Sequence, residues 1–304
     1  MKHKDLLGIK DLSRSELTEI LDLANGMRTL LDRGEKDNSL RGKNVATLFY
    51  ENSTRTRNSF ELAAKNLGAT TTSVSIAVSS VQKGETLVDT GKTLDALGMD
   101  AMIIRHRVAG APRLLAETVR ASVLNAGDGM NEHPTQALLD LMTALRHFDS
   151  LSGLKVVIVG DIKHSRVARS NVEAFGKMGA EVTLCAPYTL LPEKVERLGA
   201  SYETDLDTAI SGADIVMPLR LQLERMNQAL FPSIEEYHKF YGITKKRLKL
   251  ASPDAIVMHP GPINREAEIA GDVADGDKSV IEEQVTNGVA VRMAALKLLI
   301  EARN

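Results

Sequence analysis

The 304-residue chain contains no tryptophan, a single cysteine and only 4% aromatic residues. One cysteine excludes an intrachain disulfide framework and a cysteine-based metal cluster, so a reducing cytoplasmic compartment is expected. The apolar neighbours of Cys185 favour a buried thiol on a strand over a nucleophile. A formal net charge of -2 lacks the basic excess that nucleic-acid and membrane-surface binders need.

Long apolar runs are also missing. No uninterrupted apolar stretch reaches the roughly 20 residues that a membrane-spanning helix needs, and residues 1–13 contain no apolar signal-peptide core. The composition, 43% hydrophobic and 26% charged, is that of an ordinary globular protein. We therefore expect a soluble cytoplasmic protein that binds neither nucleic acid nor membranes.

The chain does contain a regular alternation of strand-like and helix-like segments, which is typical of parallel α/β sheets. The strand-like segments lie at 44–49, 70–76, 101–105, 121–125, 154–159, 181–186, 213–217 and 255–258. A turn-like break at 150–153 separates two series. The sequence therefore predicts two three-layer α/β domains with mostly parallel sheets and an active-site cleft between them. The predicted domains are residues 1–149, joined by a C-terminal helix at 286–304, and residues 150–285.

Residues 47–60 carry the most specific functional signal. A buried-strand pattern at 45–49 breaks at Asn52 into a segment with helical apolar spacing. Residues 53–56, Ser-Thr-Arg-Thr, therefore fall at a helix N-terminus, where free backbone N–H groups and the helix dipole attract anions. An arginine fork also matches phosphate oxygens. Taken alone, the pattern fits an ordinary Ser/Thr N-cap beside solvated arginines equally well.

Three further segments place polar side chains where predicted structural elements meet. His133 and Gln136 lie three residues apart at the start of a long predicted helix. Residues 256–262 run from a strand into a rigid His-Pro-Gly-Pro turn, and Arg220 and Gln222 follow another strand. Strand ends are the usual ligand sites of parallel α/β sheets. A purely structural interpretation of the same segments is a hydrogen-bonding histidine, a stiff turn and a solvated polar face.

A dinucleotide site is not supported. The strand at 154–159 ends in Gly160, but the second and third glycines of the Rossmann fingerprint are absent, and no Walker A sequence occurs. The loop instead carries Arg166 at the carboxyl end of a strand. No ligand spacing suggests a metal, so neither a metal nor an organic cofactor is predicted.

Together these segments resemble the aspartate carbamoyltransferase family, and the resemblance runs essentially end to end. Residues 49–56 meet the family's carbamoyl-phosphate signature, Phe-x-Glu/Lys-x-Ser-Gly/Thr-Arg-Thr, and residues 133–136 meet its His-Pro-x-Gln element. Ornithine carbamoyltransferases share both elements. Residues 83–86 resemble the mobile loop of the aspartate enzymes, and residues 220–225 resemble their aspartate-binding loop. The turn at 259–262 lacks the cysteine that ornithine enzymes usually carry there.

The resemblance implies that the first domain binds carbamoyl phosphate and the second binds aspartate. The residues implied for carbamoyl phosphate are Ser53, Thr54, Arg55, Thr56, Ser79, Lys83, Arg105, His133 and Gln136. Those implied for aspartate are Lys83, Arg166, Arg220 and Gln222. The implied catalytic group is Arg55, Thr56, Arg105 and His133. Thr56, Arg105 and His133 would polarise the carbamoyl carbonyl, whereas Gln136 and the backbone near Pro260 would bind the carbamoyl amino group.

The implied reaction transfers a carbamoyl group to L-aspartate in pyrimidine biosynthesis, within a homotrimer whose sites are shared through Ser79 and Lys83. Glu51 would bridge to Arg166 and Arg225. Two alternatives are a carbamoyltransferase for another amine, such as ornithine, and a carbamoyltransferase-like subunit that binds without turnover. The sequence leaves open a regulatory chain and association with other enzymes of pyrimidine synthesis.

Overall fold

A computed structural model of the chain describes residues 3–74, 84–221 and 233–303. The chain folds into two compact units. The first comprises Met1–Met142 and Thr286–Asn304, and the second comprises Thr143–Val285. None of the helices in the described ranges is long and apolar enough to cross a membrane.

The first unit is built on a parallel four-stranded sheet in the order β2-β1-β3-β4. Its strands are β1 (Asn44–Phe49), β2 (Thr70–Val74), β3 (Ala101–His106) and β4 (Ser122–Asp128). Its helices are α1 (Arg14–Asp32), α2 (Thr54–Asn66), α3 (Leu87–Ala96), α4 (Ala111–Ala116), most of α5 (Pro134–Leu145) and most of the C-terminal α11 (Ile281–Glu301).

Both faces of this sheet are covered. Side chains alternate between the two faces along a strand. Leu48 and Ile104 belong to a core cluster that includes residues of α3 and α4. Val45 and Ile103, on the opposite face, are also fully buried. Burial of both faces is what parallel sheets require, and it gives the unit its three layers.

The second unit contains a parallel five-stranded sheet in the order β7-β6-β5-β8-β9. The strands are β5 (Lys155–Val159), β6 (Glu181–Cys185), β7 (Ser201–Glu203), β8 (Ile215–Pro218) and β9 (Ile256–Val257). The helices are α6 (Arg166–Lys177), α7 (Leu206–Ile210), α8 (Ile234–Tyr241), α9 (Lys245–Leu248) and α10 (Gly271–Ala274), with short 3-10 turns at Tyr188–Leu190 and Val195–Leu198.

The two parallel α/β sheets confirm the predicted fold class. The edge strand β7 was not predicted, because its three residues are polar or half-exposed and show no apolar strand pattern. Cys185 at the end of β6 is fully buried, and burial raises the pKa of its thiol to about 12. The prediction of a buried thiol on a strand is therefore confirmed.

Candidate functional site

In each sheet the strand order changes direction at one point. The first sheet has this switch between β1 and β3, and the second has it between β5 and β8. In open parallel sheets, ligands bind outside the carboxyl ends of the strands at such a switch. The topology therefore selects the loops that follow β1 and β3 in one unit and β5 and β8 in the other.

Ser53, the N-cap residue between β1 and α2, makes no capping hydrogen bond through its side chain to α2, all of which the structure describes. Ser53 precedes α2 with an extended backbone, but no hydrogen bond to its side chain caps the helix among the described residues. By contrast, Ser13, Ser165 and Ser233 each accept a backbone N–H of the helix that they precede. The first turn of α2 also carries no acidic residue. This N-terminus therefore retains its positive end for an anion.

The two arginines of this junction differ in their surroundings. The guanidinium carbon of Arg57 lies 5.2 Å from the centre of the Phe49 ring, in a cation–π arrangement. Arg55 is exposed, as is Thr54, whereas Thr56 is buried. Arg55 is therefore the guanidinium that the junction presents to solvent, while Arg57 packs against the strand.

Arg105 comes from the other side of the switch. It pairs in register with Phe49 across β1 and β3, and its carbonyl oxygen accepts the Tyr50 N–H at 2.9 Å. Its Nε donates to Glu51 Oε2 at 3.2 Å, and both side chains are more than four-fifths buried. The predicted bridge from Glu51 to Arg166 and Arg225 stays a prediction, since Arg225 lies outside the described residues.

A network around Asp128 builds the turn that leads to His133. The Asp128 carboxylate, only 1% exposed, accepts the Asn125 side-chain amide at 2.8 Å and the Glu132 backbone N–H at 3.1 Å. Gly129 has a φ of +49°, and an added Cβ would lie 3.0 Å from the Arg107 carbonyl oxygen. His133 follows at the residue before α5 and is buried. The motif located His133 but not the carboxylate that shapes its turn.

In the first turn of α5, Gln136 is anchored by a second carboxylate. Its Nε2 donates to Asp140 Oδ1 at 3.0 Å, and Asp140 is fully buried. Sequence reasoning missed Asp140. The signal was available, because glutamine and aspartate four residues apart on a helix are neighbours that can hydrogen-bond.

An aromatic pair lies beside Arg105. The rings of Tyr50 and His106 meet edge to face with their centres 4.7 Å apart. Burial lowers the pKa of His106 and raises that of Tyr50. Both groups are therefore neutral near pH 7, and Arg105 is the charged group at the end of β3.

In the second unit, the loops after β5 and β8 approach each other closely at Gly160. This residue has a φ of +129°, and an added Cβ would lie 3.1 Å from the Leu219 carbonyl oxygen. Arg166 opens α6 and is buried, and its N-cap Ser165 accepts the Ala168 N–H at 3.1 Å. Arg220, which is half-buried, follows β8. The fold thus brings two predicted arginines to the strands that flank the second switch.

The His-Pro-Gly-Pro turn after β9 is fixed by buried hydrogen bonds. His259 Nδ1 accepts the Gly261 N–H at 2.8 Å, and its Nε2 lies 3.2 Å from Glu268 Oε1. The Glu268 carboxylate also accepts the Asn264 backbone N–H. Because Nδ1 accepts, His259 carries its proton on Nε2 and donates it to Glu268. Sequence reasoning did not identify Glu268.

Several predicted site residues lie outside the described part of the chain, namely Ser79, Lys83 and Gln222. No cluster of three or more His, Cys, Asp or Glu side chains suited to a metal ion occurs within residues 3–74, 84–221 and 233–303.

The sheets and their strand-end side chains define a two-unit α/β protein with a candidate anion site at the switch of its first sheet. Residues 4–146 match the aspartate/ornithine carbamoyltransferase carbamoyl-P binding domain, and residues 152–299 match the Asp/Orn binding domain of the same family. The chain belongs to the aspartate/ornithine carbamoyltransferase family.

Three individual members of the family can be compared with this chain. The chain is 56% identical over 300 residues to the aspartate carbamoyltransferase catalytic subunit of Ruminiclostridium cellulolyticum, covering 98% of this chain and 96% of the relative. The aspartate transcarbamoylase of Trypanosoma cruzi, solved with carbamoyl phosphate and aspartate, has a TM-score of 0.87 at 31% identity, covering 97% of this chain and 96% of that one. The ornithine carbamoyltransferase of Pyrococcus furiosus has a TM-score of 0.87 at 30% identity, with coverage of 98% and 97%.

Proposed function

We propose that the chain transfers the carbamoyl group of carbamoyl phosphate to the amino group of L-aspartate, giving N-carbamoyl-L-aspartate and phosphate. This is a step of de novo pyrimidine biosynthesis. The observation that carries the proposal is the first switch point, where α2 follows β1 and Arg105 lies near the end of the neighbouring strand β3. The similarity to aspartate carbamoyltransferase catalytic subunits over nearly the whole chain supports the same activity.

Carbamoyl phosphate binds to the first unit. Residues 53–56 hold the phosphate through their hydroxyls, the Arg55 guanidinium and the backbone N–H groups of the first turn of α2. Thr56, Arg105 and His133 donate hydrogen bonds to the carbamoyl carbonyl oxygen. Gln136 accepts from the carbamoyl amino group together with backbone carbonyls near Pro260. Ser79 and Lys83 complete the proposed set.

The chemistry needs positioning and electrostatic stabilisation. The aspartate nitrogen lone pair attacks the carbamoyl carbon, negative charge develops on the carbonyl oxygen, and the bond from carbon to the phosphate oxygen then breaks. Phosphate leaves with the electron pair of the broken bond and takes up the proton that the amine loses. Removing one preorganised donor to such an oxyanion typically costs about 3 kcal/mol of transition-state stabilisation. Phosphate is a good leaving group, so the proposal invokes neither a metal nor an organic cofactor.

Aspartate binds to Arg166, Arg220 and Gln222 of the second unit, with Lys83 as a further cation. Guanidinium groups match the planar carboxylate in geometry and charge, and aspartate presents two carboxylates. The proposal therefore assigns one arginine to each switch-flanking loop of the second sheet.

The second candidate function is carbamoyl transfer to ornithine. The overall fold does not separate the two acceptors, because the ornithine enzyme of P. furiosus has a TM-score of 0.87 to this chain. Citrulline forms by carbamoylation of the side-chain amine of ornithine, so the opposite end of ornithine carries one carboxylate and an α-ammonium group. Aspartate carries two carboxylates there, which match Arg166 and Arg220 better. A subunit that binds without turnover is disfavoured because every motif residue of the proposed site is present.

The proposal extends to assembly and location. We assign a homotrimer in which Ser79 and Lys83 enter the site of a neighbouring subunit. The relative from R. cellulolyticum is described as a catalytic subunit, which supports assembly with further chains, such as a regulatory chain or other pyrimidine enzymes. A reducing cytoplasmic location, expected from the single cysteine, belongs to the same proposal.

The testing experiment is a product assay on the purified chain with carbamoyl phosphate and either L-aspartate or L-ornithine. Carbamoyl-aspartate formed from aspartate, with no citrulline from ornithine, is the expected result. Citrulline formation would overturn the assignment of Arg220. Absence of both products would overturn the enzymatic proposal. His133→Ala serves as the matched inactive variant, because it removes a carbonyl donor while the binding arginines remain.

A further inference from the structure

Arg292 on α11 is a buried cation inside the first unit. Its side chain is 4% exposed, and Nη1 donates to Ser59 Oγ on α2 at 2.9 Å. The guanidinium carbon lies 5.0 Å from the centre of the Phe60 ring. Burial lowers the pKa of Arg292 to about 10, and the negative charge of Asp140 opposes that shift. Arg292 is therefore still protonated near pH 7, and Asp140 is its nearby counter-charge.

A glycine in α11, Gly288, leaves space for the Arg292 guanidinium. A Cβ added at Gly288, one turn earlier on α11, would lie 2.5 Å from Arg292 Nη1 and 3.1 Å from Leu139 Cδ2. Glycine is disfavoured inside a helix, so its presence in α11 needs a packing reason. Gly288 lets the guanidinium occupy the space between α11 and α5.

The carboxylate of Asp140 fixes the orientation of the Gln136 side-chain amide. An ionised carboxylate can only accept hydrogen bonds, so the Gln136 amide must turn its NH2 group toward Asp140, at 3.0 Å. The amide oxygen then faces the opposite way. Glutamine amides usually have two orientations of similar energy, and here the charge on Asp140 excludes one of them.

We propose that Asp140, with the buried Arg292 as its counter-charge, is a positioning residue that presents the Gln136 amide oxygen to the carbamoyl amino group and thereby selects carbamoyl phosphate over acyl phosphates of the same shape. The inference rests on the proposed function, in which Gln136 faces that amino group. Acetyl phosphate carries a methyl group in place of the NH2, so it leaves the amide oxygen without a donor. A site built to pair with a substrate N–H discriminates against the analogue that lacks it.

The test is the ratio between the inhibition constant of acetyl phosphate and the KM of carbamoyl phosphate, measured in wild type and Asp140→Asn. Asparagine has the same shape but offers either a donor or an acceptor, so the Gln136 amide can turn over. We expect the ratio to fall on the order of 10- to 100-fold, through weaker binding of carbamoyl phosphate. Affinity for inorganic phosphate should be unchanged, because α2 is not altered.

Asp37→Asn is the matched control. Asp37 accepts the Lys297 ammonium of the same helix α11 at 3.0 Å, so the change also replaces a carboxylate partner of α11 by an amide. Asp37 lies far from Gln136 in the sequence, in the connection between α1 and β1. The ratio should stay at its wild-type value.

Arg292→Met gives a second test if Asp140→Asn does not fold. Without the guanidinium, buried Asp140 takes up a proton and can donate to the Gln136 oxygen, so the ratio should again fall. An unchanged ratio in a folded variant, or a parallel loss of affinity for both acyl phosphates and inorganic phosphate, would overturn the inference while leaving the proposed function intact. A wild-type chain without carbamoyl-phosphate turnover would overturn both.

Discussion

Two serines that precede helices should respond in opposite ways to the same substitution. Ser13 lies before α1 in a complete capping box, in which its hydroxyl accepts the Glu16 N–H and the Glu16 carboxylate accepts the Ser13 N–H. Ser53 occupies the same position before α2 without a capping hydrogen bond to its side chain. We therefore expect Ser13→Ala to destabilise the fold, and Ser53→Ala to weaken phosphate binding while leaving the fold nearly unchanged.

The expected changes in stability and in phosphate affinity follow from the hydrogen bonds that each substitution removes. Loss of a serine N-cap typically costs about 1 kcal/mol in the free energy of unfolding, which applies to Ser13. Ser53 has no capping bond to lose, so Ser53→Ala should change the free energy of unfolding by no more than about 0.5 kcal/mol. A hydrogen bond to a charged group contributes about 1.5–3 kcal/mol. Ser53→Ala should therefore weaken phosphate binding by at least about tenfold.

Thermal unfolding with and without inorganic phosphate measures both effects. For a domain of this size, about 1 kcal/mol shifts Tm by roughly 2–4 °C. Ser13→Ala should lower Tm by that amount and keep the full stabilisation by phosphate. A tenfold loss of affinity removes about 1.4 kcal/mol of ligand stabilisation, so in Ser53→Ala the phosphate-induced rise should shrink by roughly 3–6 °C. Equal Tm losses in the two ligand-free variants, or a full phosphate response in Ser53→Ala, would refute the reasoning.

Three further perturbations test other parts of the molecule. Gly160→Ala should lower the free energy of unfolding in urea by at least about 2 kcal/mol, because φ is +129° and the new Cβ meets the Leu219 carbonyl oxygen; a variant of wild-type stability would contradict this. Cys185 ionises in the unfolded chain near its ordinary pKa of 9.0 but in the fold only near 12, so through this group stability should decline as pH rises through that window. Cys185→Ala should remove that part of the decline in denaturant titrations, and an unaltered pH profile would argue against it. Mixed trimers of Lys83→Gln and His133→Ala chains, each inactive alone, should regain activity if sites are shared, and no rescue would count against sharing.

The strand β1 shows how far the sequence determines the fold. Its predicted range, 44–49, coincides with the observed strand, because an apolar run ends at polar residues that begin a helix. The edge strand β7 could not be found in the same way. Its pairing with β6 depends on backbone hydrogen bonds and leaves its side chains in solvent, so its sequence carries no apolar periodicity.

In the candidate site, too, some residues could be predicted from the sequence and others could not. The motifs located residues proposed to contact ligand, including residues 53–56 and His133, because those residues lie at strand ends or helix starts, whereas Arg105 was implied only by the family resemblance. The carboxylates that hold the site were missed. Asp140 was accessible from its spacing to Gln136, but Glu268 contacts His259 across an irregular turn of nine residues, which no periodicity reveals.

The choice between aspartate and ornithine as acceptor is the property that the backbone fold determines least. The aspartate enzyme of T. cruzi and the ornithine enzyme of P. furiosus match this chain with the same TM-score of 0.87, so the backbone cannot encode the choice. Both acceptors offer an amine to the carbamoyl carbon, and they differ in the charge at the far end of the molecule. Only side chains at the second switch can read that charge, and there the chain supplies Arg166 and Arg220. Two guanidinium groups match the two carboxylates of aspartate, whereas the far end of ornithine offers one carboxylate and one ammonium group, and the ammonium is repelled at reduced dielectric. In the proposed function, the first unit therefore provides chemistry common to both acceptors, and the side chains of the second unit select aspartate.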